Sequence, residues 1–315
     1  FWYFGHPEVY VVILPVFGIA SEVLSTGSHR AIFGYKSMVF AMAGIGILGF
    51  VVWGHHMLTA GTDPTFRFIT MILTMLVAVP TGVKIFNWLA TLYGGNIVFT
   101  SHMLWSLGFL VTFTIGGISG MYFASIPLDL HLHETYFVVA HFHYVFIGGT
   151  IFGVISGLYY WYPKMTGKML SERWGKIHFF LAFSAYNAAF WPMHKLGLDG
   201  MLRRTHSYSL ESGYAEANMF ITLASFVFGL SFIILLSNMI ISLKTGDDAG
   251  PNPWGGWSLE WTTDSPPPTP SFAEIPTQYF EEHEGEKGEG ILAKFMTRMW
   301  KEEKHDIMDG TQDIN

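Results

Sequence analysis

The sequence predicts an all-α transmembrane bundle of about seven membrane-spanning helices, followed by an acidic, Pro-rich cytoplasmic tail. Half of the 315 residues are hydrophobic and 17% are aromatic, whereas only 13% are charged, a balance foreign to soluble domains. Stretches free of Asp, Glu, Lys and Arg recur at the length of roughly 20 mostly apolar residues that a membrane helix needs. The net charge of −7 is unevenly divided: residues 1–244 hold 12 Lys+Arg and 9 Asp+Glu, while residues 245–315 hold 5 and 15. The expected division is therefore a helical transmembrane domain over 1–244 and a tail over 245–315.

Taken in order, the opening FWYFGHPEVY has no Met, basic run or small-residue cleavage site. It reads as the interior of a helix rather than a signal peptide, and a preceding N-terminal part is expected. Charge-free gaps follow between Lys36 and Asp63, Arg67 and Lys84, Lys84 and Asp129, Glu134 and Lys164, Lys176 and Lys195, and Glu216 and Lys244. The long gap after Lys84 holds the end of one helix, a turn at Gly94 and Gly95, and a second helix from Ser101. Alternate connections carry Arg30 and Lys36, then Lys164, Lys168, Arg173 and Lys176, then Lys244, which places these ends and the tail in the cytoplasm. On the opposite side Asp63, Asp129 and Glu134 fit, but Lys195, Arg203 and Arg204 break the rule and need a local reason such as an anionic ligand. Beyond Lys244, NPWGGWSLEW leads into DSPPPTPS, which cannot be helical. EEHEGEKGEG reads as disordered, and ILAKFMTRMWKEEK as a short amphipathic surface helix or a solvated tail helix.

Ionisable groups in hydrocarbon are costly and point to function. With no cysteine and fourteen histidines, any metal must be held by imidazole or carboxylate. In HPEVY, His6 and Tyr10 are four apart and share a helix face, while Glu8 points elsewhere and Pro7 loosens the helix. In WGHHM, adjacent His55 and His56 diverge by about 100° on an α-helix, so one metal needs a distorted helix end. Adding His6 would give a three-imidazole site with an open position for reactive copper or zinc. His141 and His143 lie about 200° apart around a helix and so serve two centres, such as two haems, or else bond to backbone carbonyls. In PTGVK, Thr81 and Lys84 suggest a proton path, with snorkelling of Lys84 to the surface as the alternative. Arg203 and Arg204 suit haem propionates or a lipid phosphate, and His133 with Glu134 a hard cation.

HPEVY, WGHHM, PTGVK, HETYFVVAHFHY and GMLRR, in this order, resemble the catalytic subunit of haem-copper terminal oxidases, of the cytochrome c oxidase type. The match runs from residue 1 to the Pro-rich stretch and corresponds to the C-terminal seven of that family's twelve core helices. The resemblance implies that His6, His55 and His56 bind the copper of the oxygen-reducing site. It makes His141 the proximal ligand of a high-spin haem of the haem A type and His143 one axial ligand of a low-spin haem. That haem's second ligand, on the absent earlier helices, lies outside this chain. Tyr10 would be the tyrosine that the family cross-links to His6, supplying an electron and a proton. Glu8 would pass protons from one channel, and Thr81 and Lys84 would line another. Arg203 and Arg204 would bind propionates, and His133 with Glu134 a magnesium beside subunit II. Glu134 stands where many members have Asp, one methylene shorter.

The implied activity is reduction of dioxygen to water with electrons from cytochrome c or a cupredoxin, coupled to proton translocation. The implied partners are subunit II, other oxidase subunits and the lipid bilayer, with no nucleic acid. The expected location is a bacterial or archaeal cell membrane ahead of the mitochondrial inner membrane. A quinol oxidase of the same superfamily remains open. A nitric-oxide reductase is opposed by Tyr10 and Lys84, and a non-catalytic haem electron carrier by the three copper-type histidines.

Overall fold

The computed structural model describes residues 1–272; residues 1–267 form one compact unit, and a second begins at Pro268. The stretches 281–290 and 291–304, expected to be disordered and amphipathic, respectively, lie outside the described residues. The described residues are helical, with two isolated β-bridges and no strand. In chain order the helices are α1 (Trp2–Ser28), α2 (Tyr35–Gly49), α3 (Pro64–Leu92), α4 (Ser101–Ala124), the short α5 (Ile126–Leu132), α6 (Tyr136–Phe142), α7 (Phe152–Thr166), α8 (Glu172–Leu198) and α9 (Ala215–Thr245). A 3₁₀ turn, Trp53–Met57, follows α2, and a π-helical segment, His143–Ile151, joins α6 to α7 in one continuous rod.

Local sequence explains the clearest boundaries. Asp63 caps α3 by accepting from the backbone N–H of Thr65 and Phe66 at 2.8 and 3.3 Å, and Pro64 starts the helix where no donor is needed. Thr135 caps α6 by accepting from the Phe137 N–H. Pro7 and Pro15 lie inside α1, where each withholds a backbone donor.

Among the described residues six helical spans are long and apolar enough to cross a membrane: Trp2–Ser28, Tyr35–Met57, Pro64–Leu92, Ser101–Ala124, Tyr136–Thr166 and Ala215–Thr245. The seventh expected span, α8, is equally long at 27 residues but less apolar, because it carries His178, Asn187 and His194. Some of its polar atoms find partners inside the protein, although His178 Nε2 is buried without one among the described residues. His178 is fully buried with Nδ1 3.1 Å from the Tyr159 hydroxyl, and Asn187 accepts from the Tyr144 hydroxyl at 2.7 Å. By packing against both α6 and α9, α8 hides polar atoms that lipid could not satisfy. Helix α9 instead exposes Leu223, Phe226, Leu230 and Ile233, as a lipid-facing helix should.

Loop contacts sort the helix ends into two groups. On one side Val98 N–H donates to Gly27 O, Phe33 N–H to Thr91 Oγ1, and Ser101 N–H to the Glu172 carboxylate. On the other side Tyr136 N–H donates to Met201 O and Arg203 N–H to Glu134 O. The core between them is strongly aromatic, with Phe17, Trp88, Trp105, Phe109, Tyr144, Phe152 and Tyr186 all essentially inaccessible.

On the first side, the chain after α9 folds back over the bundle. Buried Lys164 donates to the carbonyls of Pro251, Thr263 and Asp264, Trp254 Nε1 donates to Tyr160 O, and Trp261 is buried against Tyr160.

Candidate metal and haem centre

At the end of the bundle opposite that strap, three imidazoles converge. Helix α2 stops at Gly49, and the chain turns through the 3₁₀ segment that carries His55 and His56. This is the departure from α-helix that lets two adjacent histidines approach one point. His56 Nε2 lies 3.1 Å from both His6 Nδ1 and His55 Nε2. The ligand nitrogens of His6, His55 and His56 fall within 4.8 Å of one another, the one such group of three among the described residues.

These rings are fixed by their neighbours. His55 Nδ1 lies 3.2 Å from Thr74 Oγ1, whose own hydroxyl donates to Thr70 O at 2.7 Å. Thr74 therefore accepts from His55 Nδ1–H, leaving Nε2 of His55 with its lone pair toward the cluster. Trp2 stacks on His56 at 3.8 Å with rings 7° from parallel. Tyr10 meets His6 edge-on at 4.8 Å between ring centres. The Tyr10 ring needs Gly49, where a Cβ would lie 2.6 Å from Tyr10 Cδ2.

This arrangement fits a cation better than three neutral imidazoles. A neutral His56 Nε2 makes one hydrogen bond, yet two nitrogens stand at bonding distance from it. His6 Nε2 is buried with no hydrogen-bond partner. Nitrogens that each sit ~2.0–2.1 Å from one ion are themselves about 3–3.5 Å apart, close to the 3.1 Å that separates His56 Nε2 from the other two.

His141 and His143 flank the start of the π-helical segment and face different helices. His141 Nδ1 lies 3.0 Å from both Gly116 O and Ser119 Oγ of α4, and Gly120 leaves room for its ring: a Cβ there would be 2.9 Å from His141 Cε1. His143 Nδ1 donates to Val139 O at 2.8 Å, and its ring stacks 4.0 Å from Phe190 of α8. In both, the carbonyl fixes the proton on Nδ1 and leaves Nε2 with its lone pair, the arrangement that a metal-binding histidine uses. π-Helical turns are frequent where function displaces a helix from regular geometry.

The remaining expected residues are dispersed. Lys84 does not snorkel: it is 1% exposed, with Nζ 5.2 Å from the Phe17 ring centre and 5.0 Å from that of Trp88. Thr81, one turn earlier, donates to Val77 O at 2.8 Å. Glu8 is on an exposed flank of α1.

Arg203 grips Glu134 with a two-pronged fork, Nε to Oε2 at 2.7 Å and Nη2 to Oε1, while Arg204 Nη1 lies 3.4 Å from Oε2. His133 Nε2 is 3.8 Å from Glu134, and its Nδ1 is 3.2–3.3 Å from both oxygens of Asp129. The positive charges that broke the loop pattern thus have partners on their own side, since Lys195 pairs with Asp199 at 2.5 Å. The Arg203 fork holds the Glu134 carboxyl below its ordinary value of 4.5. The bond to Asp129 raises His133 above 6.5.

A group with a depressed pKa stabilises the fold above its unfolded value and loses that effect as pH falls through the folded value. Acidification below pH 4.5 should therefore release the Arg203–Glu134 clasp, speeding amide exchange at residues 201–204 after correction for the intrinsic rate. Glu134→Gln should show the faster exchange already at neutral pH.

Sequence reasoning missed Trp2, Thr74, Ser119 and Asp129 as supports of the site. Two of them were accessible from spacing: Trp2 is one turn before His6, and Thr74 is two turns before Thr81 on the same face of α3.

Residues 1–231 match the family model described as cytochrome c and quinol oxidase polypeptide I. Cytochrome c oxidase subunit 1 of Thermostichus vulcanus is 48% identical over 276 residues, covering 88% of this chain and 50% of that protein. The Bacillus subtilis (strain 168) protein of the same name is 47% identical over 277 residues, covering 88% and 44%. The chain thus spans about half the length of these curated relatives. A cryo-EM structure described as a haem-copper terminal oxidase dimer shares the fold, with a TM-score of 0.65 at 20% identity, over 78% of this chain and 48% of that one. The chain belongs to the cytochrome c and quinol oxidase polypeptide I family.

Proposed function

We propose that this chain is the metal-binding half of the catalytic subunit of a respiratory terminal oxidase, which reduces dioxygen to water and couples this to proton translocation. The observation that carries the reading is the His6–His55–His56 cluster, with an orphaned buried nitrogen and Tyr10 against it. When bound, a copper ion at this cluster and haem iron at His141 supply the redox pair at which dioxygen is reduced.

The protein's own residues prepare that site. His6, His55 and His56 hold copper, with His55 oriented by Thr74 and His56 by the Trp2 ring. His141 and His143 present Nε2 to high-spin haem, of the haem A type, and low-spin haem, respectively. Tyr10 keeps a phenolic proton beside His6. Arg204, with its side chain 77% exposed and only one long contact to Glu134, has donors to spare for propionates, and Arg203 stays close by through Glu134. His133 and Glu134 offer one nitrogen and one oxygen to magnesium, the other ligands coming from water or a partner such as subunit II.

Proton supply falls to Lys84, Thr81 and Glu8. Lys84 packs on Phe17, seven residues along α1 from Tyr10, about 10 Å at 1.5 Å per residue, a gap that ordered water can bridge. Lys84→Met fills the same space but relays nothing. It should slow turnover roughly 10²-fold with copper and haem content unchanged. Wild-type turnover in the purified variant would leave Lys84 a packing residue.

The names of the relatives favour cytochrome c as donor, and the alternation of basic loops favours a cell membrane with the tail in the cytoplasm. Metal analysis and optical spectra of the complete complex test the whole reading. One copper per two haems is expected; iron without copper would overturn it.

A further inference from the structure

A cleft of about 800 Å³ opens between the start of α8 and the last turns of α9, far from the histidine cluster. Ile234, Ser237, Asn238, Ile241, Ser242 and Thr245 line it from one face of α9, recurring at the three- and four-residue spacing of a single helical stripe. Its floor is rigid. Asn238 accepts from Ser171 N–H and donates to Ser171 O, both at 3.1 Å, and Ser242 donates to Asn238 at 3.2 Å. Among the described residues the side is open, with Trp174, Ile233 and Ile241 more than half exposed at its edges.

The cleft has two chemically distinct ends. Toward the membrane interior it is walled by Ile233 and Ile234; at the helix ends it reaches Glu172 and Asp247. Along α9 from Ile233 to Thr245 it runs about 18 Å at 1.5 Å per residue, close to one leaflet of a ~30 Å hydrocarbon core with its headgroup zone. Trp174 sits at the polar end, at the depth where indoles favour the membrane surface.

Charge selects the headgroup. Among the described residues no Lys or Arg lines the cleft, and Arg173, Lys176 and Lys244 stand on the same two helices outside its lining, where they can meet a lipid phosphate but not fill the cleft. Lys168 nearby is already paired with Asp248 at 2.7 Å. Glu172 Oε2 accepts from Ser101, while among the described residues Glu172 Oε1 and the Asp247 carboxylate make no hydrogen bond or ion pair. The lining at the polar end thus offers acceptors and negative charge, which suit an ammonium better than a bare anionic headgroup.

We propose that the α8–α9 cleft is a binding site for a single membrane phospholipid with a primary-amine headgroup, its acyl chain along Ile234 and Ile241 and its ammonium at Asp247 and Glu172. The site is independent of the metal centre. The test uses the complete complex, equilibrated in mixed micelles of equal parts phosphatidylethanolamine and phosphatidylglycerol, with retained lipid counted by native mass spectrometry. Wild type should retain one phosphatidylethanolamine that Ser237→Trp, which fills the cleft from an exposed position, does not. Asp247→Asn should keep a lipid but lower the preference for the amine headgroup about fivefold, the effect of one partly exposed charge contact. Equal retention by wild type and Ser237→Trp, or phosphatidylglycerol held as well as phosphatidylethanolamine in wild type, would overturn the proposal.

Discussion

Tyr10→Phe in the complete complex should retain its copper and haem yet lose roughly 10²–10⁴-fold in oxygen turnover, the range a positioned proton donor contributes. The substitution removes one oxygen and leaves the packing intact. The ring still fits against Gly49 and meets His6 edge-on at 4.8 Å. Among the described residues the hydroxyl makes no hydrogen bond, so its removal should not cost even the ~1 kcal/mol of a typical lost bond. Stability and metal content are therefore expected to stay put while chemistry fails. Turnover normalised to copper and haem is the decisive measurement. A value within about threefold of wild type, under 1 kcal/mol in barrier, would refute a chemical role for the phenol.

The transmembrane architecture was largely legible because hydrocarbon imposes a crude rule, apolar length between charges, that survives without any tertiary knowledge. The rule weakens at α8. There the sequence spaces its charges correctly, but His178, Asn187 and His194 lower its apolar character, and only tertiary packing shows that Tyr159 and Tyr144 meet the first two, while His194 bonds to the Trp191 carbonyl of its own helix.

The three histidines that the fold gathers were legible in the sequence, and what supports them was obscure. Histidines in lipid announce themselves; a threonine or glycine does not. Thr74 bonds to His55 across two elements, and Gly120 matters only because the His141 ring lies against it. The local geometry was also hidden. Regular α-helix would keep His55 and His56 about 100° apart, and neither the 3₁₀ turn that carries them nor the π-helical segment after Phe142 leaves a simple periodic mark.

The loop charges show the same limit. By their side of the membrane, Lys195, Arg203 and Arg204 need a local reason, such as an anionic ligand. Asp199 is four residues from Lys195 and was readable as a helix pair. Glu134 is about 70 residues from the two arginines, and only the fold brings them together. Glu134 and Arg203 therefore share one ion pair, which any magnesium or propionate at this end must meet in place.

Substituting the two histidines of the central rod should separate the two haems. His141→Asn in the complete complex should abolish oxygen turnover and remove the high-spin haem signal while sparing the low-spin one, because His141 is anchored on α4 through Gly116 and Ser119. His143→Asn should remove the low-spin signal first, because that ring lies on the other flank against Phe190 of α8. The physical basis is that the two rings have different supports: one is held by a carbonyl of another helix, the other by Val139 of its own. A structural role would behave differently. If each histidine only satisfied a buried carbonyl, its loss would leave an acceptor unpaired at about 1–3 kcal/mol and weaken the whole bundle without choosing between spectra. Loss of both haem signals in equal measure from either folded, assembled variant would sink the two-sided assignment.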